Sequence, residues 1–296
     1  MSVPETRPVG PRTTAYLQPP GGWFLNNAGW ICGAEHLVLV DTCATEQRSR
    51  RLIEQARSGN RDRGISAVLT HAHGDHANGA GHVELAGGTV RATPAAAEEI
   101  RGGPHTHPEI FGEVPWGEIS PPELITPVPE PTEMDLGETR IEIHPVPVRA
   151  HTGGDLVVHH PADSVLFTGD LLFSGVTPLA LHGSIGGWIE ALEWVKRFGA
   201  STLVPGHGPV TTPAEDVLER QSAYLRWLLA VTTDPEPEHS TLQQRAREHW
   251  PEWQDAERHA VNLRRAHAEN RGHDFDLADA ALAMLSAAGG RIPLDI

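Results

Sequence analysis

Cysteine, lysine and extended apolar runs are scarce in this chain, and each scarcity removes a class of protein. Cys32 and Cys43 are the only cysteines in 296 residues, too few for a disulfide framework, and without a C-x-x-C pair they make no zinc knuckle. They read as free thiols of a reducing compartment, so a cytoplasmic location is expected. No stretch approaches the ~18 apolar residues of a membrane-spanning helix. Residues 1–20 are polar and proline-rich and lack the basic start and apolar run of a signal peptide. A soluble protein with no membrane partner is expected. Positive charge is short too: 23 Lys and Arg, with Lys196 the sole lysine, face 39 Asp and Glu for a formal net charge of −16. Such a surface repels phosphate backbones and anionic lipid, which excludes nucleic acid as a partner.

Histidine, by contrast, is abundant, with 18 copies, and it is both the commonest metal ligand and the side chain that titrates near neutrality. The length suits one large domain or two small ones. After an N-terminal tail (1–14), two apolar runs, 23–32 and 36–40, read as neighbouring strands joined by Gly33-Ala34-Glu35. A helix over 45–57 and a buried strand over 65–70 follow, which begins the strand and helix alternation of a layered α/β protein. Residues 102–131, rich in proline and glycine, read as a long irregular excursion, its aromatics suited to a pocket wall or lid. Strands are expected at 139–143, 156–160, 165–168 and 202–204, with a helix over 185–198. The chain then turns helical over 214–231, 241–248, 255–269 and 276–287. There is no internal repeat.

The strongest signal is His71-Ala72-His73-Gly74-Asp75-His76, placed directly after a buried strand. Three imidazoles and a carboxylate in six residues supply nitrogen and oxygen ligands suited to zinc, and also to iron or manganese. Three later turns carry His151, Asp170 and His207, and each turn also contains glycine. In this order the residues resemble the metallo-β-lactamase superfamily motif, H-x-H-x-D-H followed by His, Asp and His, over roughly residues 15–230. The resemblance implies an αββα sandwich, with residues 231–296 as a helical extension packed on the catalytic domain. It further implies a two-metal centre: His71, His73 and His151 on one ion, Asp75, His76 and His207 on the other, and Asp170 bridging. Asp41 matches a position that supports the ligands from behind. Such a centre makes hydroxide available at neutral pH and polarises carbonyls, which serves hydrolysis and enolate chemistry alike. Asp75, with hydroxide on the metal, is the expected catalytic group.

Substrate choice has to lie outside the ligands. The stretches 21–29, 107–117 and 171–178, together with 261–267, resemble one branch of the superfamily, the second-ring cyclases of bacterial aromatic (type II) polyketide synthesis. That resemblance implies aldol ring closure of a polyketide held on an acyl carrier protein, then thioester hydrolysis. Trp23, Phe24, Asn26, Phe111, Trp116, Phe173 and Pro178 are the candidate substrate-binding residues. Two other readings stay open: a metallo-hydrolase of small esters, lactones or glutathione thioesters, and a non-catalytic metal-binding or carrier-docking scaffold. One departure weighs against a glyoxalase type: Thr152-Gly153-Gly154-Asp155 stands where many hydrolases of the superfamily have Pro-Gly-His after this histidine. An acidic carrier needs a basic patch, for which Arg258, Arg264, Arg265 and Arg271, or Arg57, Arg61 and Arg63, are candidates. The pairs His105/His107 and His159/His160 read as surface or loop residues. His182 lies close enough after Asp170 to reach the pocket. The tail helices suit either a cover over the site or a homo-oligomer contact.

Overall fold

The computed structural model describes residues 3–296. Its first sheet runs β1 (Glu5–Pro8), β2 (Thr13–Leu17), β3 (Ala28–Cys32), β4 (His36–Val40), β5 (Gly64–Val68), β6 (Thr89–Ala92) and β7 (Ile125–Pro127), in that order. The pairs up to β3–β4 are antiparallel and those from β4–β5 onward are parallel. The second sheet runs β8 (Thr132–Asp135), β9 (Arg140–Pro145), β10 (Leu156–His160), β11 (Val165–Phe173) and β12 (Thr202–His207). It is antiparallel except for the β11–β12 pair.

Residue alternation explains the layering. Val38 and Val40 point inward with Ile31 and Val68, against Ile143, Val158 and Phe167 of the second sheet. Leu37 and Leu39 point outward, under α1 (Glu46–Arg57), α2 (Gly74–Ala77), α3 (Ala80–Leu85) and α4 (Pro94–Arg101). Period-two alternation with both faces apolar is what a sheet covered on both sides requires. α1 starts where Thr45 accepts the Arg48 N–H, and it buries Leu52, Ile53 and Ala56 on one face. A single turn, α5 (Pro108–Phe111), interrupts the excursion.

On the far side α6 (Ile185–Val195) is the crossover joining β11 to β12, and it presses a fully buried Trp188 onto the sheet. Helices α7 (Val217–Val231), α8 (His239–His249), α9 (Arg258–Arg271) and α10 (Leu277–Ala287) complete that layer, with α9 touching α6, α7, α8 and α10. The result is the expected αββα sandwich with additional C-terminal helices.

Several local readings change. Residues 5–8, taken as tail, form an edge strand whose four residues are all exposed, so they carry no apolar period to read. β8 escapes for the same reason. Residues 23–27, the expected start of the first strand, are a loop, because Asn27 Nδ2 donates to the Pro205 and Gly208 carbonyls and Asn26 Nδ2 to that of Thr42. The end of the excursion is a parallel strand, β7. Among the described residues no helix is long and apolar enough to cross a membrane.

Candidate metal centre

Chain segments far apart in sequence deliver ligand-type residues to one rim of the sandwich. The turn after β5 carries His71 and His73, and α2, a single turn, carries Asp75 and His76. His151 comes from the loop between β9 and β10, Asp170 from within β11 and His207 from the end of β12. The pairing of β11 with β12 shifts register on either side of Gly169. Gly169 has φ +51°, a left-handed conformation that glycine takes without strain. The irregularity turns Asp170 toward the histidines.

The side chains fall into two groups, His71, His73, His151 and Asp170 in one and Asp75, His76 and His207 in the other. Within each group the ligand atoms lie within 4.8 Å of one another. Asp170 reaches both. Its Oδ2 is 3.3 Å from His151 Nε2 and 3.8 Å from His71 Nε2, while its Oδ1 is 3.1 Å from His76 Nε2 and 3.6 Å from His207 Nε2. Asp75 Oδ2 lies 3.0 Å from His207 Nε2. The partition is the one the motif implies.

Partners behind the ligands orient them. Asp41 Oδ2 sits 2.8 Å from His76 Nδ1 and accepts the Thr70 hydroxyl at 2.8 Å, and that hydroxyl is 3.1 Å from His71 Nδ1. His207 Nδ1 meets the Gly21 carbonyl at 2.9 Å. Each contact turns the other ring nitrogen into the cluster. The orphaned atoms fit a cation: His71 Nε2, His76 Nε2 and Asp170 Oδ1 are buried without a hydrogen-bond partner, a state that costs free energy unless something positive occupies the space.

Electrostatics agree. Burial, then neighbouring imidazoles, hold His71 and His73 well below the usual histidine range, and burial lowers His151, so all three keep the neutral form a metal needs. Burial would also lower His76, but the carboxylates of Asp170, Asp75 and Asp41 raise it well above normal. Burial opposes ionisation of Asp170 and Asp75, yet the surrounding histidines hold both below the usual carboxylate range. The cluster is built for positive charge, which a proton on His76 supplies and a divalent ion would replace.

A pocket of about 620 Å³, counting its open mouth, leads to these ligands. Trp23, Phe24 and Phe111 form part of its wall as expected, joined by Leu179, Leu181 and Met284. Four expected wall residues stand elsewhere. Trp116 packs edge-on behind Phe24 at 4.9 Å, and Phe173 stacks on the His207 ring at 5.2 Å. The Asn26 amide is consumed by backbone and Gln18, and Pro178 offers its carbonyl to Asn262.

Other readings are corrected by packing. Arg258, expected at a docking surface, is 2% exposed and lies 4.1 Å over the Trp23 ring on the pocket wall. Arg264 pairs with Asp279, and Arg265 stacks over Phe275, leaving Arg271 exposed in that group. His159 and His160 are buried on β10, bonded to Glu142 and to Thr13 and Thr139. His107 and His182 line the pocket. The free cysteines are as expected, Cys43 buried and Cys32 half-buried.

The metallo-beta-lactamase superfamily profile matches residues 21–207. A Bacillus cereus protein, metallo-beta-lactamase type 2, is 26% identical over 197 residues, 65% of this chain and 68% of the relative. A metallo-beta-lactamase structure from Pontibacter korlensis aligns with a TM-score of 0.63 at 18% identity, over 76% of this chain and 99% of that one. One from Hirschia baltica aligns with a TM-score of 0.58 at 20% identity, over 75% and 97%. At these identities the solved structures speak for the fold alone. Helices α7 to α10 lie beyond the profile match. With two sheets in this order, ligand-type residues at one rim and a profile spanning them all, the chain belongs to the metallo-β-lactamase superfamily.

Proposed function

We propose that this protein is a metal-dependent cyclase and thioesterase that closes the second ring of an aromatic polyketide carried by an acyl carrier protein and releases it by hydrolysis. The observation carrying this reading is the wall of the pocket. Trp23 and Phe24 both pack on Phe111, with ring centroids 5.3 Å and 5.1 Å away, and Leu179, Leu181 and Met284 line the same pocket as Asp75 and His207. The rings meet at 58° and 87°, an aromatic corner, and an apolar lining of this kind with a few convergent polar groups suits a bulky, weakly polar substrate.

His71, His73 and His151 would hold one ion, Asp75, His76 and His207 the other, with Asp170 between them; zinc suits this donor set. Two bound divalent ions supply Lewis acidity and bring the pKa of water toward neutrality. The chain's own residues do the rest. The aromatic corner packs against the folded polyketide, and Leu179, Leu181 and Met284 keep bulk water from the reacting carbons. Asp75, which would keep one carboxylate oxygen for the ion, takes a proton from an α-carbon at the other; the carbanion bonds to a ketone carbon, and Asp75 returns the proton to the new alkoxide. Release consumes one water per thioester and yields a carboxylic acid and the carrier thiol. Arg61 and Arg271 are the exposed members of the two basic groups and the first places to look for carrier contacts.

The test offers the zinc-loaded protein four substrates side by side: a carrier-tethered or short-chain thioester of an aromatic polyketide mimic, lactoylglutathione, a lactone and a β-lactam. Ring-closed product and free thiol from the first, abolished in Asp75→Ala, are expected. Turnover of lactoylglutathione or the lactone with no ring closure of the mimic would replace this reading with that of a small-ester hydrolase.

A further inference from the structure

We propose that His182 is a positioning residue for the first metal group, and that helix α9, outside the span matched by the family profile, holds it in place. His73 Nδ1 lies 2.9 Å from His151 Nε2, inside the cluster, and His73 Nε2 lies 2.9 Å from His182 Nδ1, outside it. A neutral imidazole carries one N–H. With the Nδ1 lone pair turned toward an ion, the proton sits on Nε2 and is donated to His182 Nδ1. Three of the other four rings have carboxylate, hydroxyl or carbonyl partners behind them, His76 having Asp41, His71 Thr70 and His207 the Gly21 carbonyl, while His151 Nδ1 is buried without one. His73 alone relies on a second imidazole.

That imidazole sits in the irregular stretch between β11 and α6, which has no ladder to fix it. Side chains fix it instead. The Ala180 N–H donates to Asn262 Oδ1 at 2.8 Å, and Asn262 Nδ2 donates to the Pro178 carbonyl at 2.7 Å. Arg265 donates through Nε to the Ala180 carbonyl at 3.3 Å and through Nη2 to that of Leu181. On the other side of His182, Glu269 accepts the Ile185 N–H at 2.6 Å and the Gly186 N–H at 3.1 Å. Arg149 donates twice to the His182 carbonyl, at 2.6 and 3.0 Å. Asn262, Arg265 and Glu269 all belong to α9. The helix thus brackets the loop, the loop presents His182, and His182 sets the tautomer and ring angle of a ligand-type residue. This assignment does not depend on what the substrate is.

The test measures zinc affinity of the full chain by competition with a chromophoric chelator, resolving the two equivalents, in the wild type, His182→Ala, His182→Asn and Arg265→Ala. Asn Oδ1 can stand near the position of His Nδ1 and accept the same proton. His182→Ala is expected to weaken one equivalent by about 10–100-fold, the usual effect of losing a partner behind a ligand, and to leave the other within about threefold. His182→Asn is expected to recover most of the loss, and Arg265→Ala to show part of it. Wild-type affinity for both equivalents in His182→Ala, or Asn no better than Ala, overturns the proposal. Nitrogen NMR of the zinc-loaded wild type decides even where a variant fails to fold: a coupling across the hydrogen bond from His73 Nε2–H to His182 Nδ1 is expected, and an Nε2–H without that coupling, or an Nδ1–H tautomer, overturns the assignment.

Discussion

Asp41→Asn tests the support behind the metal groups at a single atom. Asp41 directly follows β4 with φ +62°, a left-handed conformation that Asn tolerates as well as Asp. Its Oδ1 accepts the Thr70 N–H at 2.6 Å, and its Oδ2 serves both the Thr70 hydroxyl and His76 Nδ1, each at 2.8 Å. The residue is 2% exposed, so water cannot replace what is lost. Asn keeps the volume and the Oδ1 contact, but the amide nitrogen that replaces Oδ2 donates and cannot accept. Two hydrogen bonds to a charged acceptor disappear, at about 1.5–3 kcal/mol each, partly recovered as the amide and the hydroxyl find new partners. The metal-free protein should therefore lose about 2–4 kcal/mol in urea unfolding with an unchanged m-value.

Metal binding should fall as well, and unequally. His76 loses its partner directly, so the group of Asp75, His76 and His207 should weaken about 10–100-fold. His71 feels the change only through the Thr70 hydroxyl, 3.1 Å from its Nδ1, so its group should weaken less. Thr70→Val breaks that relay alone and should reverse the order. A variant Asp41→Asn with stability within about 0.5 kcal/mol of wild type and both zinc equivalents intact would refute the reasoning, because an orphaned buried donor cannot be that cheap.

Two further outcomes follow from packing and titration. A Cβ added at Gly206 would fall on the Asp170 carboxylate, so Gly206→Ala should displace the one side chain shared by both groups. Elemental analysis should then show loss of both ions together, with a stability cost of about 1–3 kcal/mol. His259 is 0% exposed, with Nδ1 2.8 Å from the Tyr224 hydroxyl, and burial lowers it to about 3 from its ordinary 6.5. Above pH 6.5 neither folded nor unfolded chain protonates it; below, only the unfolded chain does until pH 3, so stability drains away as pH falls through that window. The contribution is about 1.4 kcal/mol per pH unit at most. In the zinc-loaded protein, His259→Asn should make the loss between pH 6 and pH 5 shallower by about 1 kcal/mol, and an unchanged slope would show that His259 takes up its proton in the folded state.

What could be read from sequence divides along a physical line. The alternation Leu37-Val38-Leu39-Val40 announces a sheet covered on both faces because side-chain direction on a strand is local. The histidine turn announces a metal site because four ligand-type residues are supplied by one short segment. Edge strands Glu5–Pro8 and Thr132–Asp135 bury too little to leave a period. The pocket wall is legible only in part, at Trp23, Phe24 and Phe111, and for a different reason. Phe24 and Met284 meet only in three dimensions, as do His73 and His182, joined by a hydrogen bond across 109 positions. Arg258 makes the point most sharply: beside Arg264 and Arg265 it reads as surface charge, yet α9 turns it inward over Trp23, with Nη1 donating to the Thr177 carbonyl. Burial is a property of where a helix lands, and a basic cluster in sequence says nothing of that. Four of the ligand-type residues thus stand in one short segment, whereas the pocket lining draws Arg258 from α9 and Met284 from α10, so substitutions at those two positions, away from Asn262, Arg265 and Glu269, should alter which substrate is taken while leaving the ligand set untouched.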